Sequence, residues 1–146
     1  MIREARVLGC DFGERRTGIA ISDPGGRIAF PVSTIEARTA LEAARRVAAL
    51  AAEREAVEIV VGMPLMLSGE RGAQALATEK FVSLLEAQFP GPVRTWDERL
   101  TSAQSERALA EMAGDRKLPR GRVDEVAATL LLQSYLDSRG NRPGDA

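Results

Sequence analysis

Apolar positions change their period several times along this chain, and each change marks an element. The apolar stretch ending at Asp11, the alternating Ile19-Ala20-Ile21 and the stretch around Phe30 are separated by Gly13-Glu14-Arg15-Arg16 and Asp23-Pro24-Gly25-Gly26. Both separators are rich in turn formers, so three consecutive antiparallel strands are expected over residues 5–11, 17–22 and 27–33. From 39 to 55 the period becomes helical, with Leu41, Ala44, Val47, Ala48 and Ala51 on one stripe. Residues 57–62 are a short, continuous β-branched apolar run, the pattern of a strand buried on both faces. A Gly/Pro/Ser loop over 63–72 leads to a second helix, 73–88, which Pro90-Gly91-Pro92 stops before a last strand over 93–96. Thr101 with Gln104 suits a capping box opening a helix to 113. A basic connector (114–121) and a final helix (122–137) complete the pattern, and residues 138 onward look frayed.

The order β-β-β-α-β-α-β-α-α predicts an α/β fold: a mixed five-stranded sheet, three strands antiparallel and two parallel, flanked by helices. Right-handed crossovers put the fourth strand beside the first and the fifth beyond it. Asp11, at the end of strand one, and Glu98, just past strand five, then emerge on the same sheet edge. Ligands in such sheets sit at the carboxyl ends of the strands. Asp124, at a helix start, is placed to lean over that edge. A carboxylate at a strand end is costly unless a cation meets it. Three together are the usual cradle for Mg²⁺ or Mn²⁺, hard ions that prefer oxygen, and so suggest metal-dependent phosphoryl transfer.

Composition narrows the chemistry. At 146 residues the chain has the size of one domain, expected over 1–138 with a flexible tail at 139–146. It has no histidine, which removes Ser-His-Asp and Cys-His catalysis and histidine metal sites together. Its single cysteine, Cys10, lies inside the first strand and reads as a small buried apolar residue. No signal peptide is evident, and the longest apolar run, 59–67, is too short for a membrane span, so a cytoplasmic protein without membrane contact is expected. A net charge of −1 offers no global attraction to nucleic acid, so polyanion binding must rest on a local patch or on metal. The densest basic stretch is Arg116, Lys117, Arg120 and Arg122, in the connector before Asp124. Asp97 reads as a turn acceptor and Trp96 as a core residue.

Four blocks in order make the chain resemble the YqgF family of ribonuclease-H-like nucleases, described as Holliday-junction-resolvase-like and as pre-16S rRNA nucleases. They are Asp11-Phe12-Gly13-Glu14-Arg15-Arg16-Thr17-Gly18-Ile19-Ala20-Ile21-Ser22-Asp23, then Ile59-Val60-Val61-Gly62-Met63-Pro64-Leu65 with Gly69 and Gly72. Asp97-Glu98-Arg99-Leu100-Thr101-Ser102 follows, and last Val123-Asp124-Glu125-Val126-Ala127-Ala128 with Leu132-Gln133-Ser134-Tyr135-Leu136-Asp137. The resemblance implies a ribonuclease-H-like fold, with Asp11, Glu98 and Asp124 as catalytic acids holding divalent metal. Two metals about 4 Å apart can activate a water and stabilise the leaving oxygen. Arg16 is a candidate phosphate contact, and Arg99, Thr101, Ser102 and the connector are candidates for holding substrate. The chain departs from the family in its 63–72 loop, where Met66 and Ser68 stand for an Asn and an Asp, and Gln74 for an arginine that Arg71 is placed to replace.

The implied partner is nucleic acid, a ribosomal RNA precursor or structured DNA. A symmetric four-way junction would call for a two-fold homodimer. Two competing classes remain. The hairpin with acid, glycine and basic residue also resembles the phosphate-binding strand pair of the actin, hexokinase and Hsp70 superfamily. That class needs two such domains around its nucleotide, and this length suits one. A non-catalytic binding module is the other; such proteins normally lose their acids, and all three are present here.

Overall fold

The computed structural model describes residues 5–66, 68–100 and 120–140, with backbone alone at 120–122 and 140. Strands β1 (Arg6–Asp11), β2 (Arg16–Ser22), β3 (Ala29–Glu36), β4 (Ala56–Met63) and β5 (Val93–Asp97) form one sheet in the order β3-β2-β1-β4-β5. The β1–β2 and β2–β3 pairs are antiparallel, and β1–β4 and β4–β5 are parallel, as the crossover argument requires. Helices α1 (Ala40–Glu53), α2 (Ala73–Gln88) and α3 (Arg120–Gly140) cover the sheet, and a 3-10 turn, Glu98–Leu100, follows β5.

The two-residue period of the strands divides the core. Leu8, Cys10, Ile19, Ile21, Ile59 and Val61 point to one face, where Ala44, Val47 and Ala51 of α1 and Phe81 and Leu85 of α2 meet them. Val7, Ala20 and Val60 point to the other, against Ala128, Leu132, Tyr135 and Leu136 of α3. Gly9 sits under α3, where a Cβ would come within 2.8 Å of the Leu132 Cβ. Among the described residues the predicted elements are present, with boundaries moved by one to three residues. β3 starts two residues later than expected because the Asp23 carboxylate accepts the amides of Gly25, Arg27 and Ile28, which holds those residues in a turn. α1 ends at Glu53, and the chain leaves it through Glu55 in the left-handed region (φ 58°). α3 starts at Arg120, inside the expected connector, and runs past Asp137 to Gly140. Its last turn is held by Arg139, 3.2 Å from Glu58, and by Ser138 donating to the Tyr135 carbonyl (2.8 Å). The expected helix over 101–113 lies outside the described residues.

Candidate active site

Alternation along β1 puts Val7, Gly9 and finally Asp11 on the α3 face, so the acid emerges at the carboxyl end of the strand beneath α3. Its neighbours on both adjoining strands are glycines. Gly18 of β2 is its antiparallel partner, and Gly62 of β4 lies one residue beyond the Cys10–Val61 pair. A Cβ at Gly18 would lie 2.0 Å from the Asp124 carbonyl oxygen, and one at Gly62 would lie 2.7 Å from Glu98 Oε1. The two glycines thus make the room in which Asp124, from α3, and Glu98, from the 3-10 turn, close on Asp11.

Asp11 is both buried and crowded by like charges. Burial, then the charge of Glu98 and a hydrogen bond to it, then the charge of Asp124 hold its carboxyl well above the usual range. A hydrogen bond between two carboxyl groups requires one proton on the pair. Asp124 makes a different contact: its Oδ2 lies 3.3 Å from Arg16 Nε, and this buried oxygen accepts no hydrogen bond. Because α3 begins at Arg120, Asp124 stands beyond the first helical turn, and helix-dipole stabilisation, which fades within that turn, does not account for it. Among the described residues, no three acids as they stand form a ready metal cradle; Asp11 and Glu98 are joined, and Asp124 is held by Arg16.

The floor under Asp11 is rigid. Phe12 stacks on Phe81 with ring centroids 4.3 Å apart, and Gln74 of α2 donates to the Phe12 carbonyl (3.3 Å). Cys10 is buried, and burial pushes its thiol far up, so it supplies no thiolate ligand. Asp97 is the turn acceptor expected of it. It takes the Arg99 amide at 2.9 Å and the Arg99 guanidinium at 2.6 Å, which lower its own carboxyl. Trp96 packs edge-on against Tyr135 and donates to Ser134 (3.2 Å). Arg71, on the loop before α2, pairs with Glu79 at 2.8 Å. Thr101, Ser102, Arg116 and Lys117 lie outside the described residues, and Arg120 and Arg122 are placed by backbone alone, in α3. Three features escaped the sequence reading: the Arg16–Asp124 pair, the Gln74 prop and the pressure on Gly18 and Gly62. For the glycines a signal did exist, since both fall on the face of the sheet that carries Asp11.

The arrangement offers oxygen donors alone at the carboxyl edge of a mixed sheet. The profile of the RuvX family, described as Holliday junction resolvase, matches residues 5–138. A protein of Chloroflexus aggregans named "Putative pre-16S rRNA nuclease" is 44% identical over 140 residues, covering 96% of this chain and 99% of the relative. One of Protochlamydia amoebophila with the same name is 42% identical, covering 94% and 96%. Among solved structures, Thermus thermophilus RuvC in complex with Holliday junction substrate shares the fold with a TM-score of 0.62 at 15% identity, covering 94% of this chain and 97% of that one. Matched across nearly all its length, the chain belongs to the RuvX family of Holliday junction resolvases, phosphodiester hydrolases built on a sheet of this type.

Proposed function

We propose that this protein is a divalent-metal-dependent nuclease that cuts phosphodiester bonds in the precursor of 16S rRNA, with Asp11, Glu98 and Asp124 as catalytic, metal-holding acids. The observation that carries the reading is the gathering of these acids around two glycines, at the cost of a strongly raised Asp11 carboxyl. That cost is removed by a cation placed among them. The donor set fits Mg²⁺ or Mn²⁺: carboxylate oxygens only, no usable thiolate, and a buried Asp124 Oδ2 still without a hydrogen bond. When bound, such a metal supplies a water activated near neutral pH and neutralises charge on the leaving oxygen.

The remaining work falls to the chain. To hold a metal, Asp11 and Glu98 would release their shared proton to solvent, which would leave their oxygens as ligands. Asp124 would hold the metal with the oxygen that now faces Arg16, and that guanidinium stands beside the acids, suited to a phosphate oxygen. The stacked Phe12 and the Gln74 bond hold the backbone after Asp11, so the acid does not swing as substrate enters. Arg71, Arg99, Thr101, Ser102 and the connector Arg116, Lys117, Arg120 and Arg122 are proposed as further substrate contacts. Of these, Arg71 and Arg99 would first have to leave Glu79 and Asp97. No helix among the described residues is long and apolar enough to cross a membrane, and a cytoplasmic site of action suits this substrate.

The family's name favours a second reading, cleavage of four-way DNA junctions, for which a two-fold homodimer would present two acid sites. A cleavage panel with Mg²⁺ and Mn²⁺ separates the two. A precursor-rRNA mimic cut in preference to a four-way junction supports the first reading; the reverse order, with a dimer in light scattering, supports the second.

A further inference from the structure

Beyond the acids, on the side of Arg16, the surface falls away into a second feature. The turn before β2 is tied to the end of β3 by the Ala37 amide donating to the Arg15 carbonyl (3.0 Å). Arg46 of α1 donates to the Glu36 carbonyl and fixes the same corner from the other side. Between them opens a cleft of about 770 Å³, lined by Arg15, Arg16, Glu36, Ala37, Arg38 and Glu42.

The charges here are not balanced pair by pair. Glu42 is engaged in the start of α1, where its carboxylate accepts the Arg38 amide (3.1 Å) and its own amide donates to Thr39 Oγ1 (3.1 Å). Arg16 reaches out of the cleft to Asp124. Arg15 and Arg38 are exposed, and neither forms an ion pair with any described residue. Among the described residues, the cleft therefore holds two guanidiniums in no ion pair, beside the carboxylates of Glu36 and Glu42, with a third guanidinium linking it to the acid site. Guanidinium forks match phosphate oxygens in geometry as well as charge, and phosphate contacts fix the register of a strand without reading its sequence.

We infer that this cleft carries the phosphodiester backbone of the nucleic-acid strand to one side of the bond being cut. Arg16 meets the phosphate at the acids, and Arg15 and Arg38 hold the phosphates that follow. The inference rests on the nuclease reading and adds to it a direction: on this side of the cut the strand leaves the acids toward β3 and the start of α1.

Binding, measured apart from cleavage, tests this. In an Asp11→Asn background, fluorescence anisotropy would follow a labelled single-stranded precursor-rRNA mimic and a labelled four-way DNA junction across a salt series. Arg15→Ala with Arg38→Ala should raise Kd about tenfold or more on the strand the cleft accepts. The log–log salt slope should fall by about 1.4 for a single strand or about 1.8 for a duplex arm, two contacts at ~0.7 or ~0.9 each. Arg15→Lys with Arg38→Lys should restore most of the affinity, which a damaged fold would not allow. Weakening on the RNA alone, the junction alone or both identifies the strand seated there. Unchanged Kd and slope on both probes, with the Asp11→Asn reference binding well, overturns the cleft and leaves the nuclease reading standing. A reference that binds neither probe overturns the cleft as well. Tight, cleft-dependent binding by a wild-type protein that cuts nothing with either metal keeps the cleft and removes the nuclease.

Discussion

Asp11 concentrates the tension of the molecule in one side chain. Its folded pKa is raised, so the folded protein binds that proton more tightly than the unfolded chain does. The stability it contributes is present at low pH and is lost as pH rises from the unfolded value of about 3.9 through the folded one. Without metal, Asp11→Asn should therefore raise the melting temperature at pH 7 by a few degrees, and the gain should shrink as pH falls toward 4. Differential scanning calorimetry across pH checks this; a lower melting temperature at pH 7 contradicts it. Asp11 and Glu98 were legible at the ends of strands, whereas Asp124, read at a helix start, lies in the second turn because the helix begins at Arg120. The Arg16–Asp124 pair was not, because it joins distant segments that meet only when α3 lies across β2.

Among the elements, α3 depends on the glycines beneath it. Gly18→Ala sets a methyl against the Asp124 backbone, which cannot rotate out of the way, so α3 must lift. Such overpacking costs about 1–3 kcal/mol, and cleavage should fall far more than stability because Asp124 moves away from Asp11. Denaturant melts paired with cleavage rates read both effects; a fully active Gly18→Ala protein would show that this contact does not set the site. The far end of α3 is anchored by Glu58, which accepts from Tyr135, from Arg94 at 2.9 Å and from Arg139 at 3.2 Å. Burial and the Glu58 carboxylate push the Tyr135 phenol up to about 12. Tyr135→Phe should cost about 1–2 kcal/mol in urea unfolding yet leave cleavage unchanged, since Glu58 sits near the start of β4 and the acids near its end. Loss of cleavage in a protein of normal stability would contradict that separation. This anchor explains why the helix outlasts its sequence pattern. The apolar stripe stops at Leu136, and the final turn is tied to the sheet by Arg139, whose partner Glu58 lies in β4. The late start of β3 has a similar origin, in one aspartate that takes three amides.

At the scale of the whole molecule, strand order follows from two rules, short turns between antiparallel neighbours and right-handed crossovers between parallel ones, and both are readable from element order. Less of the site was legible, because spacing along a chain does not say which carboxylate meets which guanidinium. The same geometry gives the protein one chemically distinctive edge, with acids at its centre and the arginine-lined cleft beside it. The central claim is that those acids cut nucleic acid through a bound metal. Its most direct test is cleavage of an end-labelled precursor-rRNA mimic by metal-stripped protein, resupplied with Mg²⁺ or Mn²⁺, for wild type and for Asp11→Asn, Glu98→Gln and Asp124→Asn. The account predicts cutting by wild type only when metal is returned, and none by any of the three folded variants. Cutting by metal-free wild type, or undiminished cutting by folded Asp11→Asn, would contradict it.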